Sequence, residues 1–203
     1  MKTSTNRYKL NKHIPHALAN GVAKRLVAEL KPHCEQIIIA GSIRRGKAFV
    51  KDIEIVAIPK RAPSVSQADM FGGPAQVHKG ASLLDRKLDS LVKIPRIIKD
   101  PDKLRIDASA AWGERYKRFW LSMREDGNVS QIGQVDLFIA DHDNFGAILA
   151  IRTGPSEFGM ALMDWMNNHS IYRQAGGYLT HANTGEMAPT PDEDTYFKLI
   201  GIP

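Results

Sequence analysis

An α+β fold is predicted for this chain by three observations. Two short apolar runs, Gln36–Ala40 and Ile53–Ile58, flank a glycine-bounded basic turn. Two strand-like segments, Arg118–Met123 and Gln131–Ala140, are joined by the turn residues Glu125-Asp126-Gly127-Asn128. After Asp141 the spacing of apolar residues switches from period two to helical. The expected architecture is a lobe built on a mixed β-sheet over residues 1–141, followed by a small C-terminal α/β lobe over residues 142–203.

Each element follows from local spacing. Ile14, Leu18, Val22, Leu26 and Leu30 repeat every four residues and predict a helix over Pro15–Lys31, with proline suited to its first turn. Gln36–Ala40 reads as the first strand, a turn with a short helix follows, and Asp52–Ile58 reads as the second strand. Pro63, Ser64, Ser66, Gly72, Gly73, Pro74 and Gly80 make Lys60–Gly80 a loop. Leu83, Leu84, Leu88 and Leu91 place a helix over Ala81–Val92, and a strand is expected near Lys103–Ala108 ahead of the hairpin. Beyond Asp141, Phe145–Ile151 and Ser156–Asn167 read as helices, the second with Phe158, Leu162, Met163 and Met166 on one side. Thr153-Gly154-Pro155 separates them, glycine freeing the backbone and proline opening the next helix. A hairpin is expected around Asn183-Thr184-Gly185. A last helix should start from Pro191, with Thr190 as cap and Asp192, Glu193 and Asp194 in its first turn.

Composition bounds the function. The 203 residues suffice for one substantial core or two small lobes sharing a cleft. The formal charge of +6 makes an anionic partner, nucleic acid foremost, plausible without proving one. One cysteine, Cys34, excludes an internal disulfide framework and a Cys-rich zinc site, and its place beside Ile37-Ile38-Ile39 suits a buried, inert thiol. No apolar run approaches the roughly 20 residues that span a bilayer, and Met1–Lys12 is too polar for a secretory signal. A soluble, cytoplasmic protein without a membrane partner is expected. The seven histidines show no metal-ligand spacing. Trp112, Trp120 and Trp165 fit a core as well as a stacking platform, and Arg115, Lys117 and Arg118 beside Tyr116 and Phe119 fit either a nucleic-acid contact or a solvated strand edge.

The chemistry concentrates in Gly41-Ser42-Ile43-Arg44-Arg45-Gly46, followed by Lys51-Asp52-Ile53-Glu54. Side chains alternate along a strand, so Asp52 and Glu54 project to one side. Paired carboxylates repel unless a cation lies between them, and Mg²⁺ takes oxygen ligands of this kind. The small-residue turn, with a hydroxyl, two arginines and backbone N–H groups, suits phosphate oxygens. Two-metal transfer asks for a third acid, and Asp136 sits in the apolar strand Gln134–Ala140, where a lone charge is costly to bury. Val135, Leu137 and Ile139 would face the core, and Asp136 with Phe138 a cleft. Asp141 and Asp143 are assigned instead to capping a helix that starts near Asn144. Each motif alone has an ordinary reading as a solvated strand face or a basic surface turn. Together they point to phosphoryl or nucleotidyl transfer.

These blocks, with Val135-Asp136-Leu137 and Arg152-Thr153-Gly154, resemble the family X DNA polymerases within the nucleotidyltransferase superfamily. The resemblance extends over nearly the whole chain from Ile14 and is strongest at Ala40–Ile58 and Gly133–Phe158. It implies a nucleotidyltransferase palm followed by a small thumb. Asp52 and Glu54 would bind two Mg²⁺ ions, with Asp136 completing the metal beside the primer 3′-hydroxyl. Gly41, Ser42 and Arg45 would hold the incoming nucleoside triphosphate, Thr153 and Gly154 would flank its sugar, and Arg44, Lys51 and Arg152 are further candidates. The partner would be primer-template or gapped DNA. The chain also departs from the family pattern. Glu54 stands where relatives usually carry aspartate, which alters metal spacing or favours Mn²⁺. Ile151-Arg152 replaces an aromatic pair under the sugar, and Gly159 and Met163 replace polar minor-groove readers. No lyase domain fits before Ile14, so the implied enzyme is minimal, like the smallest viral members, in a viral or mobile-element setting. A templated short-gap polymerase, a template-independent nucleotidyltransferase using nucleic-acid ends or another hydroxyl, and a non-catalytic nucleic-acid-binding module are the three functions the residues allow.

Overall fold

The computed structural model describes residues 13–63, 80–94, 96–99, 112–125 and 128–202. The chain runs β1 (Ile14–Pro15), α1 (His16–Leu30), a 3-10 turn (Lys31–His33), β2 (Cys34–Ile39), α2 (Gly41–Arg44), β3 (Phe49–Val50) and β4 (Ile53–Pro59). It continues through α3 (Leu83–Lys93), β5 (Ile97–Lys99), β6 (Tyr116–Glu125) and β7 (Asn128–Ile139). The C-terminal part holds α4 (Phe145–Thr153), α5 (Ser156–His169), β8 (Tyr172–Ala175), β9 (Tyr178–His181), β10 (Met187–Ala188) and α6 (Glu193–Ile200). The expected strand near Lys103–Ala108 and most of the Lys60–Gly80 loop lie outside the described residues.

A five-stranded mixed sheet of order β2-β4-β7-β6-β5 forms the first part. Only β4 and β7 run in parallel; the other neighbours are antiparallel. Both faces of the inner strand β4 are buried along Ile55–Ile58. Ile53, Ile55 and Ala57 join the main core with α1 and α3, whereas Val56 and Ile58 pack beneath Phe145 and Leu149 of α4. That explains the unbroken apolar run after Glu54, because a strand covered on both sides needs no polar alternation. Cys34 is buried in the main core, and burial pushes its thiol up to about 11, as expected of an inert cysteine.

The C-terminal part is a three-stranded antiparallel sheet, β10-β9-β8, with α4, α5 and α6 around a second apolar cluster that includes Ala147, Ala150, Leu162, Met166, Leu179 and Tyr196. Helix α4 therefore faces two ways, Phe145 and Leu149 toward the large sheet and Ala147 and Ala150 toward α5 and α6.

Several local expectations need correction. Leu18 is 52% exposed, and Ala19 and Ala23 complete the buried stripe of α1. A repeat of four overshoots the helical turn by about 40° each time, so three steps from Leu30 carry Leu18 roughly 120° off the core face. Gly154 has φ −62°, which any residue adopts. Glycine is needed there because a Cβ would lie 2.1 Å from the Phe158 ring. Asp192, not Thr190, caps α6, its Oδ1 accepting from Thr195 N–H at 2.7 Å. Thr190 is fully buried and bonds instead to the Asp143 carbonyl. Asp141 and Asp143 do not cap α4 by side chain, since Asn144 is the cap residue and the Asp141 carboxylate accepts from the Tyr178 hydroxyl.

Candidate active site at the β4–β7 edge

The parallel pairing of β4 and β7 sets Glu54 level with Asp136. Residues level in neighbouring strands share a face, so both carboxylates rise on the same side of the sheet. Asp52 lies in the bend immediately before β4. Asp136 is 5% exposed, and Asp52 and Glu54 are half-buried. The surrounding charges act on Glu54 and Asp52. Glu54 is pushed from 4.5 up to about 7, first by burial, then by Asp52 and Asp136, with partial relief from Arg152 and Arg45. Burial, then Asp136, raises Asp52 as well, against the opposing charges of Arg118 and Lys51.

This clustering has a sign that can be tested. The fold keeps Glu54 protonated over an interval, 4.5 to about 7, in which the unfolded chain has already lost that proton. The metal-free protein should therefore lose stability as pH rises through that interval. Melting temperatures in chelator from about pH 5 to about pH 7.5 should show the decline, and Glu54→Gln should flatten it. An equally steep decline in the variant would remove Glu54 as its source.

Gly41 holds Glu54 in place from beneath. Its φ of +63° opens α2 directly after β2, and the Glu54 carboxylate occupies the space where a side chain at 41 would stand, 1.8 Å from an ideal Cβ. The first glycine of the basic turn is thus part of the acid site. Ser42 is half-buried on α2 and Lys51 is exposed beside Asp52. The two arginines of the turn reach across to the C-terminal part. Arg44 makes a fork to Glu193 at 2.7 and 2.6 Å and donates to the Thr153 hydroxyl at 2.9 Å. Arg45 donates to the Thr153 carbonyl. Turn, Thr153 and Gly154 are thereby brought together, with Thr153 ending α4 and Gly154 capping it.

Asp136 is held by residues that the sequence did not single out for it. Arg118 of β6, directly opposite, donates from Nε to Oδ1 at 2.7 Å and from Nη2 to Oδ2 at 2.9 Å. The Tyr116 hydroxyl donates to Oδ1 at 2.9 Å. Burial and the Asp136 charge push that phenol upward. Tyr116 also stacks on Phe138 at 5.3 Å, and the Arg152 guanidinium lies 4.2 Å above the other aromatic partner, Phe138. The expected basic cluster on β6 is split by this geometry. Arg118 joins the acids. Lys117 is buried on the opposite face against Gly113, Asp85 and Trp112, and Arg115 donates to the Gly176 carbonyl beside Tyr178.

These side chains line a cleft of about 540 Å³, walled by Glu54, Asp136, Arg118, Phe138, Arg152 and the Gly176-Gly177 turn. A groove of about 650 Å³ adjoins it through Ile148, Arg152 and Gly177, and α5 contributes Ser156, Gly159, Met160 and Met163 to it. Two carboxylates, Glu54 and Asp136, line the cleft, and Asp52 lies just ahead of β4; carboxylate oxygens are the hard donors that Mg²⁺ or Mn²⁺ takes. Among the described residues, no group of three or more His, Cys, Asp or Glu is spaced to hold a metal ion. No helix among the described residues is long and apolar enough to cross a membrane. In comparisons with known proteins, no family model and no curated sequence matches the chain.

Proposed function

We propose that this protein is a divalent-metal-dependent nucleotidyltransferase of the family X type, acting as a DNA-directed DNA polymerase that adds a deoxynucleotide to a primer 3′-hydroxyl in short gaps. The observation that carries this reading is Glu54 level with Asp136 on parallel strands, with Asp52 one residue ahead of β4 and a basic, glycine-opened turn against Glu54.

In this reading Asp52, Glu54 and Asp136 would hold two Mg²⁺ ions, and Mn²⁺ could substitute. When bound, the ions neutralise charge on the attacking and leaving oxygens of an in-line displacement. The chain's own groups do the rest. Gly41 admits the Glu54 carboxylate, while Ser42 and Arg45 would hold the triphosphate, with Lys51 adding positive charge and Arg44, paired with Glu193, tying the turn to α6. Thr153 and Gly154 border the sugar. Arg152, exposed over Phe138 and within reach of the Glu54 field, meets phosphate or template at the cleft mouth.

One observation favours a second reading, template-independent addition to a nucleic-acid end: α5 offers the adjoining groove only serine, glycine and methionine side chains, none of which senses base-pair geometry by charge. Primer extension separates the two. A one-nucleotide gap and a single strand are each supplied with one dNTP at a time, in Mg²⁺ and then Mn²⁺. Incorporation of the complementary nucleotide alone, in the gap, is the expected result. Addition to the single strand irrespective of base would establish the second reading, and no addition to either would overturn both.

A further inference from the structure

We infer that Arg118 is a positioning residue that keeps Asp136 out of metal coordination until a substrate phosphate draws the guanidinium away. The inference rests on the acid cluster being a metal site. Its premise is geometric. Arg118 takes both oxygens of Asp136 in a fork at 2.7 and 2.9 Å, and Tyr116 donates to one of them. An oxygen engaged in a short charge-assisted bond has little left to offer a cation, so ion and guanidinium compete for the same lone pairs. Among the described residues no comparable fork reaches the neighbouring acids: the charges of nearby cations relieve Asp52 and Glu54, with a backbone hydrogen bond also helping Asp52.

The arginine is built into its place. It lies in register opposite Asp136 on β6, with its guanidinium 5.8 Å from the Tyr116 ring centroid. The Gln134 amide lies against both partners: its Nε2 is 3.3 and 3.4 Å from the Asp136 oxygens, and with the amide turned over its oxygen would accept from Arg118 Nε at 3.0 Å and Nη2 at 3.3 Å. Its side chain is 29% exposed and borders the cleft, whereas that of Asp136 is 8% exposed. The guanidinium can therefore swing toward an anion in the cleft, and the carboxylate cannot follow it. Guanidinium planarity matches phosphate as well as carboxylate. A phosphate group of the nucleic-acid strand entering the cleft is thus the partner that releases Asp136. Metal loading and strand binding become coupled, each strengthening the other.

Mn²⁺ binding to the full chain, followed by electron paramagnetic resonance without nucleotide or turnover, tests this. Asp52→Asn must first weaken binding in the wild-type background. If neither wild type nor any arginine variant binds Mn²⁺ through the acids, the metal-site reading itself fails and takes the inference with it. Where binding exists, Arg118→Ala should tighten it roughly tenfold or more, the equivalent of a charge-assisted hydrogen bond removed from competition. Arg118→Lys keeps the charge but not the fork and should tighten it less. Arg115→Ala removes an equal charge from the same cleft without touching Asp136 and should change little. A single-stranded DNA oligonucleotide should tighten Mn²⁺ binding in wild type and lose most of that effect in Arg118→Ala. Unchanged or weaker binding in Arg118→Ala, or an equal gain in Arg115→Ala, would overturn the inference while leaving the metal site standing. Circular dichroism of each variant identifies loss of fold, and the lysine variant carries the test if the alanine variant unfolds.

Discussion

On the proposed reading of Asp136 as a metal ligand, Asp136→Asn should reduce nucleotide addition by roughly a thousandfold or more, because a ligand lost from such a site removes several kcal/mol of transition-state stabilisation. Asparagine is the informative substitution. It keeps the volume of a side chain that is 5% exposed, and its amide oxygen can still accept from the Tyr116 hydroxyl. Arg118 loses one charged acceptor but is itself partly solvated, so it is not stranded in apolar surroundings. A stability loss of about 1–3 kcal/mol is expected, the range of a single hydrogen bond to a charged group. The Ala variant would also remove buried side-chain volume and so confound the two effects. Triphosphate binding should persist, since the basic turn approaches the cleft from Glu54 and not from Asp136. Single-turnover extension and a nucleotide-binding titration on the same protein decide the matter. Activity within tenfold of wild type would remove Asp136 from the chemistry.

Much of this site was legible in the sequence, and what was not has a local cause. Strand alternation singled out Asp52 with Glu54, and an acid in an apolar strand singled out Asp136. In β7 the alternation holds, Val135 and Leu137 being fully buried while Asp136 and Phe138 line the cleft, but Asp52 lies in the bend before β4 and not in the strand expected from residue 52. The partner of Asp136 was hidden by one irregularity. Glu125 pairs with Asn128 at the hairpin turn, and counting back from there with constant register sets Lys117 against Asp136 and turns Arg118 toward the core. A register shift between Leu121 and Ser122 reverses this, giving Arg118 to Asp136 and burying Lys117. A bulge adds one residue to one strand and so exchanges faces for everything beyond it. The extra residue is Ile132 of β7, beside Gly133, and that lone glycine inside a strand pattern is the signal that could have announced it. The contacts of Arg44 and Arg45 with Glu193 and Thr153 were invisible for a different reason: more than a hundred residues separate them, and side-chain pairing at such range leaves no periodic trace. The C-terminal sheet was half read. The β9–β10 hairpin at Asn183-Thr184-Gly185 was expected, but Gly176-Gly177, with φ of 56° and 87°, makes a second turn that carries β8 back onto β9.

Gly41→Ala should damage the site as severely as loss of an acid, although residue 41 carries no functional group. Two costs separate cleanly. The backbone cost comes from φ +63°, a left-handed conformation that penalises an L side chain by about 1–2 kcal/mol. Gly46, at φ +70°, bears the same cost but has nothing within 4 Å of an added Cβ. The second cost belongs to Gly41 alone. Its Cβ would stand 1.8 Å from Oε2 of Glu54, 2.7 Å from Cδ and 3.0 Å from that residue's own Cβ, so rotating the carboxylate alone does not relieve the contact. The whole Glu54 side chain must leave the position facing Asp136. Gly46→Ala should therefore lower stability modestly and keep Mn²⁺ binding, whereas Gly41→Ala should lose both stability and Mn²⁺ binding. Adding Glu54→Asp to Gly41→Ala withdraws the colliding carboxylate by one methylene and should recover part of each. Gly41→Ala behaving like Gly46→Ala, in melting temperature and in Mn²⁺ affinity alike, would show that Glu54 does not depend on the glycine. Rescue by the shorter acid would tie the glycine turn to the carboxylate pair through contact and not through backbone strain, since strain at residue 41 is indifferent to the length of residue 54.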